Sequence, residues 1–119
     1  MSEFVFLYRG EGDMRKLSPQ EAQQSMQQWM AWFKELEKKG KLKSIGQPLE
    51  RAGKVVGGKA KPVTDGPYAE TKDIIGGYSL IEARNLDEAA ELAAGCPGIQ
   101  RGGLVEVRPV MPLNARISR

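Results

Sequence analysis

Two helix-start signals each lie between strand-like runs, and this arrangement restricts the fold more than any other feature of the chain. Ser18-Pro19-Gln20-Glu21 offers a capping serine, a proline at the first helical position and a glutamate placed to reach back to the cap. Asn85-Leu86-Asp87-Glu88 repeats the logic, with Asn85 as cap and Glu88 at the third helical position. Gly40 closes the first helix, and Gly95 and Pro97 close the second. Before the first helix, residues from Glu3 to Arg9 alternate with both faces apolar, as in a central strand. Lys43 to Leu49 reads as a weaker strand, and Gly77 to Arg84 as the clearest one. The last strand runs from Gly103 to Val110, after a loop from Pro97 to Gly103.

Lys54 to Gly58 and Lys59 to Thr64 read as an inserted two-strand ribbon, with lysines alternating against apolar residues. Each helix therefore joins two strands. The predicted fold is α+β, a ferredoxin-like split β-α-β with an antiparallel sheet, in one domain over residues 1–112 followed by a tail over 113–119. Helices cover one face of such a sheet, and the chain has no element left for the other. Alternation assigns Phe4, Phe6, Tyr8, Tyr78, Leu80, Glu82, Leu104, Glu106 and Arg108 to that bare face. An apolar patch of that size predicts a homodimer, paired through the open sheet face.

On the first helix, Ala22, Met26, Trp29, Phe33 and Leu36 form one stripe, read as core, with Met30 and Trp32 flanking it. Trp32, at the margin, is a candidate for lining a cleft or a subunit contact. The second helix offers a small flat face of Leu86, Ala89, Ala90, Leu92 and Ala93. The run from Lys38 to Lys43 reads as a solvated helix end, because Glu35 and Glu37 lie beside it.

The residue inventory removes whole classes of chemistry. The chain has no histidine and one cysteine, Cys96, so an internal disulfide, a Cys-based zinc site and every histidine-dependent mechanism are excluded. No metal or other cofactor is expected, and acid–base work falls to Asp, Glu, Lys, Tyr or Cys. Cys96 sits at the negative end of a helix, which disfavours a thiolate and favours a buried structural role. A net charge of +3 with interleaved acids and bases is no nucleic-acid signature, and no apolar run approaches membrane-spanning length. A cytoplasmic location is the default expectation.

The densest polar chemistry lies in the stretch from Asp65 to Gly77, between two strand-like segments. Asp65 has two readings. As a turn residue it hydrogen-bonds the backbone ahead of it, beside the permissive Gly66 and the fixed Pro67, and this reading carries the greater weight. As a functional group at a cleft mouth it is a general base or an orienting acceptor. Glu70 and Lys72 share a face if the segment is extended, so they can converge on one ligand, with Lys72 a point charge for an anion. Tyr68 is suited to gating a pocket or to packing on the first helix. Gly76-Gly77 predicts a bulge or a close backbone approach. Glu82, Glu106 and Arg108 form a second constellation. Inside a barrel they must pair as a structural bridge or be solvated as the floor of a polar site.

The sequence from Asp65 through Gly66-Pro67-Tyr68-Ala69-Glu70-Thr71 to Lys72 resembles the DGPF-type signature of the YCII-related domain family, with Tyr68 where phenylalanine is usual. The likeness continues through Gly76-Gly77-Tyr78, Leu80-Ile81-Glu82-Ala83, Leu86-Asp87-Glu88-Ala89 and Val105 to Val110, and includes Phe6-Leu7-Tyr8 and Ser18-Pro19. The resemblance implies a dimeric α/β-barrel. In some relatives it implies a His–Asp pair in the shared cleft, and in others an association with extracytoplasmic-function sigma factors. The His–Asp chemistry does not carry over to a chain without histidine, and Asp65 alone matches that pattern.

The resulting expectation is a YCII-related protein that binds a small organic molecule near the Asp65–Lys72 loop. Tyr68, Glu70, Lys72, Tyr78, Glu82, Glu106 and Arg108 are candidate contacts, and Asp65 is the candidate catalytic group. A cofactor-free isomerase, lyase or hydrolase using a carboxylate is the second reading. A regulatory module of sigma-factor transcription, by analogy alone, is the third.

Overall fold

Ser18 caps the first helix as its sequence dictates. Its side chain accepts from the Glu21 amide at 3.1 Å, while the Glu21 carboxylate accepts from the Ser18 amide at 3.0 Å. The helix, α1 (Pro19–Lys38), ends where Gly40 takes φ +70° and the Lys41 amide returns to the Leu36 carbonyl. The computed structural model describes residues 1–10, 17–59, 63–66 and 74–113. Before α1 lies β1 (Ser2–Arg9), and after it come β2 (Leu42–Pro48), β3 (Gly53–Val56), β4 (Val63–Gly66) and β5 (Ile75–Ala83). The chain continues with α2 (Leu86–Ala93), a short α3 (Pro97–Gln100) where a plain loop was expected, and β6 (Leu104–Pro109).

Strands β2, β5, β1 and β6 pair in that order, all antiparallel. This is the α+β ferredoxin-like arrangement expected from the sequence. Strands β3 and β4 form a separate two-stranded ribbon. Asp65 pairs with Lys54 within it, so Asp65 and Gly66 end a strand instead of opening a loop.

The face assignment of β1 needs correction. Phe4, Phe6 and Tyr8 are buried beneath the helices with Ile81, Ala83 and Ala89, while Val5 and Leu7 occupy the open face. Both alternate sets of β1 are apolar, so period two alone gives no phase. The aromatic set goes where a tryptophan-bearing helix can cover the most ring area. Tyr78, Leu80, Glu82, Leu104, Glu106 and Arg108 do lie on the open side, in register with Leu7, Val5, Glu3 and Arg9.

The stripe on α1 is also rotated from its expected phase. Trp32, expected at the margin, is buried at 8% exposure, whereas Met26, expected in the core, is 68% exposed. Ser25, Trp29, Trp32 and Leu36 repeat at helical spacing along the face turned to the sheet. Trp32 stacks on Phe6 with ring planes 14° apart, and Trp29 meets the Tyr8 edge at 4.8 Å.

The second helix starts from Asn85, whose side chain accepts from the Glu88 amide at 2.8 Å. Glu88 in turn accepts from Lys41 Nζ, from the Arg84 amide and from Arg84 Nε, at 2.9, 3.0 and 2.7 Å. The Lys41 bond first, then the Arg84 amide, holds this carboxyl well below the usual range, at about 2. One acid thereby ties the start of α2 to the end of β5 and the entry to β2. Ala89 and Ala93 face the core, and Cys96 is buried as expected of a structural thiol.

Edge strand β2 is irregular. Its register against β5 passes from Ser44–Leu80 to Gln47–Tyr78, three residues against two, and Gly46 sits in the resulting bulge at φ +72°. A Cβ at Gly46 would lie 1.9 Å from the Tyr78 carbonyl oxygen, whereas one at Gly40, at nearly the same φ, would meet nothing within 4 Å. The two positions separate backbone strain from collision. Gly40→Ala is expected to cost about 1 kcal/mol through its conformation alone, and Gly46→Ala about 2 kcal/mol or more. Urea unfolding of the two variants measures the difference; equal costs would mean that the bulge relaxes without loss.

Candidate functional site

A pocket of about 290 Å³ opens between α1 and the β2–β5 edge of the sheet, on the helix-covered side. Helix α1 supplies Ser25, Met26, Trp29, Met30 and Phe33. The bulged strand β2 supplies Ile45, Gly46, Gln47 and Pro48, the start of β5 supplies Gly76, Gly77 and Tyr78, and β1 supplies Tyr8. The buried Tyr8, Ser25 and Gly77 mark its base; Met26, Met30, Ile45 and Tyr78 are exposed and mark its rim. No charged side chain lines it among the described residues.

The start of β5 shapes this side of the pocket. The β1–β5 register passes from Tyr8–Gly77 to Arg9–Ile75, leaving Gly76 as the extra residue of a bulge. A Cβ at Gly77 would lie 3.0 Å from the Gln47 carbonyl oxygen. The expected bulge and close backbone approach at Gly76-Gly77 are thus both present.

Beneath the pocket runs a short buried hydrogen-bond chain. Tyr8 OH donates to Ser79 Oγ at 2.7 Å, and Ser79 Oγ donates to the Ile45 carbonyl at 2.6 Å. The chain crosses β1, β5 and β2 and meets the polar needs of the fully buried Ser79. Ser25 differs. It is 0% exposed, it lines the pocket, and its hydroxyl has no hydrogen-bond partner among the described residues.

The residues singled out from the sequence divide among three places. Tyr78 borders the pocket from the sheet edge, although its register with Leu7 sets it on the open side. Glu82, Glu106 and Arg108 are on the opposite face of the sheet. There Arg9 donates to Glu106 at 2.6 Å, Arg108 lies 4.0 Å from Glu106, and Lys43 pairs with Glu3, across from Glu82. Glu106 thus pairs closely with Arg9, a residue outside the trio singled out from the sequence, and only distantly with the more exposed Arg108. Tyr68, Glu70 and Lys72 lie outside the described residues, as do the side chain of Asp65 and residues 114–119 of the tail.

Sequence reasoning missed the α1 and β2 walls. The spacing that puts Trp29 and Phe33 on the core holds, since both pack against it partly buried, but it does not reveal that they also line a cavity, and a serine one turn before Trp29 carries no signal by itself. The available sign was Gly46 inside a strand pattern, which marks a bulge or a close approach. Among the described residues no three acids or thiols gather into a metal-binding group, and no helix is long and apolar enough to cross a membrane.

A buried hydroxyl without a partner destabilises the fold that contains it. Ser25→Ala is therefore expected to stabilise the ligand-free protein by about 1 kcal/mol, raising Tm by a few degrees. Differential scanning calorimetry checks this; a lowered Tm would show that the hydroxyl is satisfied in solution.

No curated protein matches the sequence. Among solved structures, the chain is similar to 5-chloro-2-hydroxyhydroquinone dehydrochlorinase from Burkholderia phenoliruptrix AC1100, in its complex with 2,5-dihydroxybenzoquinone. The identity is 20% and the TM-score 0.47, with 89% of this chain and 91% of that chain covered. The family profile of the YCII-related domain matches residues 3–114, nearly the whole length, and the chain belongs to the YCII-related domain family.

Proposed function

We propose that the protein binds a small, largely apolar molecule in the pocket between α1 and the β2–β5 edge, and does so as a homodimer paired through the open sheet face. The pocket carries the first half of this reading. Aromatic and thioether groups form its helical wall, its volume is near the lower end of the range for small-molecule sites, and the hydroxyls of Tyr8 and Ser25 lie at its base, with the exposed Gln47 on the β2 side. The DGPF-type stretch adjoins it in sequence, since Gly76, Gly77 and Tyr78 follow directly.

Toluene serves as a bare apolar probe of this site. Saturation-transfer NMR is expected to show toluene bound to the native protein, with the transfer lost when Met30→Trp fills the rim. Absence of transfer to the native protein, or transfer unchanged by Met30→Trp, would remove the pocket from the proposal.

The open face supports the second half. Val5, Leu7, Tyr78 and Leu80 form an apolar cluster across β5 and β1, bordered on β6 by Leu104, Glu106 and Arg108, and no element among the described residues covers it. Leu7 is at the centre, opposite Tyr78 on one side and Glu106 on the other. Native protein is expected to sediment as a dimer and Leu7→Glu as a folded monomer. A monomeric native protein at micromolar concentration would refute the pairing.

A further inference from the structure

We infer that the ligand of the α1–β2–β5 pocket is an uncharged ring compound carrying one hydrogen-bonding substituent, and that Ser25 Oγ is the group that reads this substituent. The inference rests on the pocket reading above and goes further, to the chemical class of the ligand.

The walls decide the charge. A carboxylate or ammonium entering the pocket gives up its water and meets no opposite charge, since none lines the cavity among the described residues. The same walls decide the shape. Trp29 and Phe33 present ring surface, and the flexible thioethers of Met26 and Met30 adapt around a flat guest.

The polar groups at the base decide the rest. The Tyr8 proton is committed to Ser79, and the Ser79 proton to the Ile45 carbonyl. Ser25 is fully buried, lines the cavity, and has neither donor nor acceptor opposite it among the described residues. A hydroxyl both donates and accepts, so it suits a phenolic OH or a carbonyl on the ligand's inner edge. Helical serines often turn instead to the carbonyl four residues back. Ser25 makes no such bond, although that acceptor is always at hand on its own helix.

The test uses three probes of matched shape, toluene, p-cresol and 4-methylbenzoate, titrated by NMR into the native protein and into Ser25→Ala. In the native protein 4-methylbenzoate is expected to bind most weakly. The affinity ratio of p-cresol to toluene is expected to fall about three- to tenfold in Ser25→Ala, the worth of one hydrogen bond, while toluene binding persists. Comparing ratios cancels the different solvation of the two neutral probes and any general effect of the substitution on the fold. An unchanged ratio overturns the role of Ser25, as it would if that hydroxyl merely bonded its own helix. Binding of 4-methylbenzoate as tight as that of p-cresol overturns the uncharged class, with the pocket left standing. Failure of all three probes to bind the native protein removes the pocket reading, and this inference with it.

Discussion

Trp32 lies against Phe6 at 6.1 Å between ring centroids, and this contact fixes the rotation of α1 about its own axis. Turning the helix until Met26 faced inward, as the hydropathy stripe suggested, would lift Trp32 off β1 and expose most of an indole. Burying a large aromatic side chain is worth several kcal/mol, far more than a methionine at the helix edge can return. With Trp32 seated, Leu36 follows into the core four residues on. Ser25 and Trp29 follow along the same face toward the β2 edge, where the sheet falls away. The pocket is thus a consequence of how the aromatic cluster packs. Its helical wall combines Ser25 and Trp29, which share the Trp32 face, with Met26, Met30 and Phe33 from the flank of the helix.

Much of this was legible in the sequence, and the missing part has a common physical origin. Caps and stops are local chemistry, so Ser18, Glu21, Asn85 and Gly40 mark the two longer helices and, with the strand patterns between them, the order of elements along the chain. Phase is a tertiary property. For β1, with Phe4, Phe6 and Tyr8 on one side and Val5 and Leu7 on the other, nothing local says which set meets the helices. For α1, eight apolar or aromatic positions in twenty residues allow several stripes, and only the partner surface selects one. The site suffered for the same reason. A serine at a helix position acquires meaning only when the rotation that buries it is known.

The one sheet separates two chemistries. Its helix-covered side is almost free of charge; Tyr8, Ser79 and the Ile45 carbonyl satisfy one another there, and Ser25 Oγ is left without a partner among the described residues. Its open side mixes aliphatic groups with paired ions, Arg9 with Glu106 and Lys43 with Glu3. Partly exposed pairs of this kind add little to stability, but they fix the orientation of whatever lies on them. The surfaces proposed for a small apolar guest and for a second subunit therefore lie on opposite faces of the sheet, with Tyr78 at the edge they share. The charged candidates picked from the sequence belong with the second, except for those outside the described residues.

Strand β2 connects these arguments. A regular edge strand would continue the sheet and close against α1; the bulge at Gly46 turns its backbone so that Ile45, Gln47 and Pro48 line a cavity. The bulge in turn depends on the approach of Gly46 to the Tyr78 carbonyl, where no side chain fits. It is anchored from below, because the Ile45 carbonyl accepts the proton of Ser79. A buried polar chain that only stabilised the sheet could have run between any two central strands. This one reaches out to the edge strand and holds it at the residue before its turn. It fixes the wall opposite Ser25, and a fixed wall is what a single hydroxyl needs if it is to discriminate between ligands.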